Sequence, residues 1–539
     1  MKESVKVRIT DMIGIICIII GAGVFLRSAC FVYSSDIWFD ELFTVELAMK
    51  PLSQMLALAA KDVHPPLYYI LVRVVYIILH SAFGTDVVAA AKITSLIPYA
   101  LVLVYLIVFV RKHFGWLSAG LAFVMIAAMP HMSEFMVEAR MYSWAAFALF
   151  AMFIHAIEWK TSHIFLALLY GIAAMYLHYY GLIGAGVIAV GVLTLAVVRG
   201  LRTRRKAGVG EDDEEGLAEG AGPWRMVIAA AVCCVIAIVA YIPWIRVLMG
   251  QIGQVSQSYW IQPVTWRTIP GCVKYIFSPE FEQSYVNYIC AGIMVASYVF
   301  MIVRFLLQRN KERITSIYIY GSAAVLAGVI AAGIVASIII RPVFVYRYMM
   351  PAMFIFWTGF AVLIAKTIEE KPSIVTITIV IVTIVTIGAS CVRSFNLFRW
   401  GEVRKADGIK QMELALDQIR QDYPDTLIVC NFNHVQALMW YYLENDSVLW
   451  GYTDENLIAD ICGRAPIVMI DEVSDLKEIL AERGQSEFLF FGSGNARDEI
   501  IEDWKSYQIF TEMLQNSCFL ERYYINIYKV VLKSTESNP

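Results

Sequence analysis

Long apolar runs recur through most of this chain, and a water-soluble fold has nowhere to put them. They lie at about 87–110, 116–130, 141–158, 164–178, 181–198, 224–246, 286–306, 316–340, 349–366 and 373–391, each close to the ~20 residues a helix needs to cross a bilayer core. A first run ends at Tyr33 behind Lys2, Lys6 and Arg8; at about 24 residues it suits a span better than a cleaved leader. That gives about eleven spans. A hydrophobic fraction of 59% supports a mainly α polytopic bundle, because a soluble domain cannot hide that much apolar surface. The net charge of −3 offers nothing to a nucleic acid. Ten cysteines without metal-ligand spacing suggest neither a zinc site nor a disulfide framework.

The run at 66–83 is ambiguous, and charge resolves it. Lys and Arg collect in cytoplasmic loops. If 66–83 spanned, Arg111, Lys112 and the basic stretch from Arg199 to Lys206 would face outward. If it lies outside as a juxtamembrane helix, those clusters face the cytoplasm with Arg313, Lys366 and Lys371. Its polar stripe of Tyr69, Arg73, Tyr76 and His80 at helical spacing fits an interface or a site lining. The N-terminus is then cytoplasmic. The unusual polar clusters all fall on the outer side: Asp40-Glu41, Asp62 to His64, Glu134 to Tyr142, His178 to Tyr180, the loop Gln251 to Tyr285, and Arg341 to Tyr348.

Two segments depart from this pattern. The stretch 200–222 is basic, then acidic and Gly-rich, and reads as a disordered cytoplasmic linker. From 392 to 539 the charge rises, and short apolar runs such as Thr426 to Cys430, Pro466 to Ile470 and Phe488 to Phe491 alternate with amphipathic stretches. This predicts a small extracytoplasmic α/β domain behind a membrane domain of 1–391 that includes the outer loop 33–86. Gly492-Ser493-Gly494 reads as a turn.

The segment Asp36 to Tyr69 carries an Asp-Glu pair, Asp40-Glu41, then Asp62-Val63-His64-Pro65-Pro66-Leu67-Tyr68-Tyr69. This block resembles the first outer loop of the GT-C superfamily of membrane glycosyltransferases, with the protein mannosyltransferases and the aminoarabinose transferases as the nearest families. Glu138 to Tyr142, reading Glu-Ala-Arg-Met-Tyr, resembles their second outer loop, and Arg341 to Pro351 the Arg-Tyr entry of a later span. His178-Tyr179-Tyr180 matches a Thr-His-Tyr-like turn.

The resemblance implies transfer of a sugar, with inversion, from a polyprenyl-phosphate donor to an extracytoplasmic acceptor. A phosphate leaving group wants cations rather than a general acid, which suggests Lys92, Arg140, Arg347 and Arg341 around it. Lys92 stands where those families have an Arg, keeping the charge without the fork. Asp40 is the expected base on the acceptor and Glu41 its neighbour in the catalytic pair. Asp62, His64, Glu138, Tyr142, His178 and Tyr346 are expected to touch substrate. No cofactor is required, while paired carboxylates leave a divalent metal open. The partners implied are the lipid-linked donor, an outer acceptor and membrane lipids. A lipid-linked sugar flippase, or a membrane sensor with an outer ligand-binding domain, are the rival readings; a flippase predicts inverted repeats, and none is visible.

Overall fold

The computed structural model describes residues 2–33, 37–158, 161–207, 223–255, 261–308, 312–369, 372–443, 447–451, 457–462, 468–494, 496–507, 509–520 and 523–532. The chain is mainly helical and divides into two compact units. One comprises Met1–Val32 with Ala59–Arg399, the other Tyr33–Leu58 with Trp400–Pro539.

Among the described residues eight helices are long and apolar enough to cross a membrane, the last of them, Ile374–Asp422, carrying the chain onward. Val87–Ala128 covers two of the expected runs, broken at Gly115, whose backbone (φ 77°, ψ 176°) leaves the helical region. Tyr142–Ile157 and Ser162–Leu177 are apolar helices below that length, which accounts for the lower count than the runs implied. The stretch 66–83 forms the 17-residue helix Leu67–Phe83. Its end is written locally. Gly84 takes a left-handed conformation (φ 68°) and closes it, and two residues later Asp86 caps the next helix by accepting from the Ala89 N–H at 2.8 Å. His80 of the polar stripe hydrogen-bonds the Thr85 carbonyl, so it secures this corner.

Met350–Glu369 is the centre of the bundle, with Trp357 and Phe360 fully buried. It packs against Arg111–Ala128, Tyr142–Ile157, Ser322–Ile339 and Ser284–Leu306. The N-terminal helix lies on Arg111–Ala128 at glycine contacts. A Cβ on Gly14 would overlap the Trp116 carbonyl, and one on Gly120 the Gly14 carbonyl. Small residues permit such close approach, which is what holds helices together where lipid removes the hydrophobic drive. Gly120→Val is therefore expected to cost about 1–3 kcal/mol by overpacking, read as a lower unfolding temperature in detergent; an unchanged midpoint would show that this contact yields.

The second unit is built on a six-stranded sheet of order β3-β2-β1-β4-β6-β5: β1 Ile428–Cys430, β2 Ser447–Trp450, β3 Val468–Ile470, β4 Glu487–Ser493, β5 Ile509–Leu520 and β6 Tyr523–Leu532. The first four strands pair parallel, and β4-β6-β5 close antiparallel. Central β1 is buried along its whole length, as a parallel strand covered on both faces should be. Trp504 sits at 0% exposure against Trp450, Phe488 and Phe490. Gly494 turns with φ 67° after β4, as expected of that glycine-serine-glycine stretch.

Two boundaries differ from the sequence reading. The expected break at 392 falls inside the helix Ile374–Asp422, and the unit boundary lies at Trp400. Residues 33–58, expected to belong with the membrane domain, count with the C-terminal residues: the helix Phe39–Met49 packs on helices Asn433–Leu443 and Leu457–Cys462. Of the linker 200–222, only 200–207 is described, as the end of helix Tyr179–Ala207; 208–222 lies outside the described residues, as does 256–260 of the outer aromatic loop.

Candidate functional site

In the first unit, four separated segments bring polar side chains together. Helix Val87–Tyr105 holds the segment before Tyr142–Ile157 in place: the Ser95 hydroxyl donates to the Glu138 carbonyl at 2.6 Å, and the Tyr99 hydroxyl to the Met132 carbonyl at 2.6 Å. Tyr68 shares a hydrogen bond with Ser95 at 2.7 Å, which ties the Pro65-Pro66 corner to the same helix. On this frame Arg140, at 4% exposure, points its guanidinium at His64, with Nη2 3.4 Å from Nε2. His64 Nδ1 lies 3.2 Å from the Asp62 carboxylate, which also accepts from the Tyr69 hydroxyl at 3.2 Å.

The result is a chain, Asp62–His64–Arg140, that orients a buried cation. Burial by itself would raise the Asp62 pKa, yet the His64 hydrogen bond, with Arg140 beyond it, takes it below the ordinary carboxylate value. Asp62 is thus an anion at neutral pH, and acidification through that lowered value removes what it contributes to folding.

His178 lies beside this chain. Its ring centroid is 5.8 Å from that of His64, 5.5 Å from Tyr142 and 5.2 Å from Tyr348. Its Nδ1 accepts the Tyr180 backbone N–H at 3.0 Å, so in the neutral ring the hydrogen sits on Nε2. At 3% exposure, that Nε2–H finds no partner among the described residues, and neither does the buried Tyr142 hydroxyl. Burial, and then the charges of His64, Arg140 and Arg347, push the His178 pKa well below the ordinary histidine value. Arg347 completes the group, its guanidinium carbon 5.9 Å from the Tyr142 ring and 6.0 Å from the Tyr348 ring. A cavity of about 270 Å³ opens beside His64, His178 and Tyr348, walled further by Tyr180, Ile252 and Ile340. Gln251 braces its rim by donating to the Ala59 and Ala60 carbonyls and accepting from the Tyr179 hydroxyl.

Asp62, His64, Arg140, Tyr142, His178 and Arg347 therefore lie together in one polar cluster. Lys92 lies one turn before Ser95 on the supporting helix and is 1% exposed, so it is buried in protein and does not reach for an interface. Glu138 contributes its backbone carbonyl, which accepts from Ser95 and from the Arg140 N–H at 2.7 Å. Arg341 is half-buried ahead of the turn Tyr346–Met349.

Tyr346 lies outside this cluster. It packs over Gly271 with its ring 6.0 Å from Tyr275, whereas Tyr348, two residues on, lies in the cluster. The Arg-Tyr pattern fits either tyrosine, and only the turn decides between them. Tyr69 stood in the expected polar stripe and Tyr180 in the His178 to Tyr180 turn, whereas Ser95 and Tyr348 carried no sequence signal beyond their neighbours.

Asp40 and Glu41 belong to the second unit. Both open helix Phe39–Met49, where a negative charge suits the exposed N–H groups. The Glu41 carboxylate accepts the Trp38 backbone N–H at 3.1 Å and is 2% exposed, so it caps the helix. Asp40 is half-buried beside it.

A further histidine stands out at the turn that leads to the Arg140 segment. His131, with φ 65°, stacks flat on Tyr275 at 4.0 Å and lies 3.6 Å from Glu134 and 4.0 Å from Glu280. Burial lowers its pKa, but Glu134 and then Glu280 outweigh this and Lys274, and the net shift is upward. A raised histidine stabilises the fold fully below its ordinary pKa of about 6.5, and that contribution disappears as pH rises through the raised value. Protection factors for amides across 129–138, with the intrinsic pH dependence of exchange divided out, are expected to fall over that upper range and to stay flat in His131→Gln; the same protection profile in both would remove His131 from this role.

Among the described residues no three of His, Cys, Asp and Glu stand close enough to hold a metal ion. The sequence matches no protein-family model and no curated protein. Among solved structures, the chain is similar to ArnT from Cupriavidus metallidurans bound to undecaprenyl phosphate, with TM-score 0.52 and 12% identity over 95% of this chain and 97% of that one. The same protein in its apo state gives 0.51 and 13% over 96% and 97%. The oligosaccharyltransferase AglB from Archaeoglobus fulgidus, in complex with an inhibitory peptide and a dolichol-phosphate, gives 0.43 and 12% over 87% and 69%, too distant to carry weight. At that identity the likeness is one of fold: this chain shares the mainly helical membrane architecture of ArnT along nearly its whole length.

Proposed function

We propose that this multi-pass membrane protein is a glycosyltransferase that moves a sugar, with inversion, from a polyprenyl-phosphate carrier to an acceptor on the outer face of the membrane. The observation that carries the reading is the cluster of Arg140, Arg347 and His64 around two buried donors, His178 Nε2–H and the Tyr142 hydroxyl, that meet no partner among the described residues. Buried donors left this way cost free energy unless a ligand oxygen completes them. Preorganised cations lower the barrier where a leaving phosphate gains charge.

In this reading Arg140 and Arg347 hold the phosphate, with Lys92 and Arg341 contributing charge. His178 and Tyr142 donate to phosphate or sugar oxygens, and Glu138 and Tyr346 stand further out along the substrate. Asp40 takes the proton of the attacking acceptor group, and Glu41 keeps the helix of Asp40 formed. Attack opposite to the leaving phosphate inverts the sugar carbon. Because protein cations supply the charge, the reading requires no divalent metal, and transfer persists in EDTA. In this reading the N-terminus is cytoplasmic and the C-terminal domain lies outside, an orientation that the distribution of basic loops supports.

The test is transfer of radiolabelled sugar from a polyprenyl-phosphate donor pool in membranes containing the full chain. Label moving into a new product supports the reading. If labelled lipid only changes leaflet, the protein is a flippase.

A further inference from the structure

The C-terminal α/β domain has no role in the chemistry above, yet it touches the helix that bears Asp40. The Phe39 ring, immediately before Asp40, lies flat on the imidazole of His434, with centroids 3.6 Å apart and planes 9° from parallel. Phe432 stacks on the same imidazole at 4.7 Å and 27°. His434 Nδ1 hydrogen-bonds the Tyr523 hydroxyl at 2.8 Å, and Tyr523 begins β6. His434 stands in the first turn of helix Asn433–Leu443, directly after β1, so it is fixed to the sheet at both ends of this connection. Burial takes its pKa down to about 4 even though Asp40 draws it upward, so the stack forms around a neutral ring.

We propose that His434 is a positioning residue for Asp40. Through the Phe39–His434–Tyr523 connection, the outer domain sets the orientation of the acidic helix, and the domain is thereby part of the catalytic apparatus. The inference rests on Asp40 being the base of the proposed transfer. The elements it joins are far apart in sequence, and neither alone fixes the direction in which the first turn of Phe39–Met49 faces. Flat stacking of a neutral ring between two phenylalanines fixes an angle as well as a distance, and small errors in the placement of a reacting group cost large factors in rate.

The experiment compares the purified full-length protein with His434→Ala, His434→Phe, Asp40→Asn and the Asp40→Asn/His434→Ala double variant, each rate being normalised to folded protein. His434→Ala is expected to lower kcat by about 10- to 100-fold with KM for the lipid-linked donor unchanged. His434→Phe, which keeps a flat ring on Phe39, restores most of the rate. The double variant is no slower than Asp40→Asn alone, because the two act through one group.

A merely structural His434 would lower the yield of folded protein and leave kcat unchanged; that result overturns the inference. Losses that multiply in the double variant overturn it as well. If Asp40→Asn is inactive while His434→Ala is normal, only the positioning role falls. If Asp40→Asn is fully active, the role of Asp40 falls and the positioning role goes with it.

Discussion

Arg140→Ala is expected to lower the rate of sugar transfer by about 10²- to 10³-fold, the usual cost of removing one preorganised group that stabilises developing charge. The guanidinium is buried, and Asp62 and His64 are committed to aiming it. Arg140→Lys keeps the charge and loses the planar fork, so it should recover only part of the rate. His64→Phe leaves the guanidinium without its orienting neighbour and should fall between the two. Losing a buried cation also disturbs its partners, so each rate must be set against the amount of folded protein, read by thermal unfolding in detergent. A folded Arg140→Ala protein that transfers at the normal rate would remove this cluster from the chemistry.

Asp40→Asn is expected to cost about 10²- to 10⁴-fold, as general-base losses do, without a large change in stability, because the side chain keeps its size at a half-buried helix start. Its neighbour should behave in the opposite way. Glu41 accepts the Trp38 N–H within the buried first turn. Glu41→Ala loses that cap at about 0.5–2 kcal/mol and lowers stability first, while Glu41→Gln retains an acceptor oxygen and most of the activity. Two adjacent carboxylates, one felt in rate and the other in unfolding temperature, would separate chemistry from scaffolding. Equal rate losses for Asp40→Asn and Glu41→Gln would show that both carboxylates serve the reaction.

The membrane bundle was legible because bilayer thickness imposes a length on apolar runs, and because Gly84 and Asp86 punctuate the chain with residues whose backbone preferences are strong. The short helices Tyr142–Ile157 and Ser162–Leu177 were less so: their runs look like spans, and the shortfall in length appears only when the turns around them are built. Most of the polar cluster was legible through the motifs that carry Asp62, His64, Arg140 and Arg347. Its geometry was not. Which of Tyr346 and Tyr348 joins the site depends on one short turn, and the tautomer of His178 depends on a single backbone N–H. The attachment of Phe39–Met49 to the C-terminal residues was invisible, since no local pattern encodes a contact between the two ends of a long chain.

That attachment has a consequence for synthesis. The second unit is assembled from Tyr33–Leu58 and Trp400–Pro539, with the whole of Ala59–Arg399 between them. At about 5–20 residues per second, translation of that interval takes tens of seconds. During this time the acidic helix has left the ribosome and its docking surface does not yet exist. A nascent chain halted before Trp400 would carry the Asp62, His64, Arg140 and Arg347 cluster and still lack an ordered Asp40. If Asp40 is the base proposed above, this order of synthesis acts as a checkpoint: a partly made copy cannot hold that base in place, and transfer would begin only once the last strands have been translated.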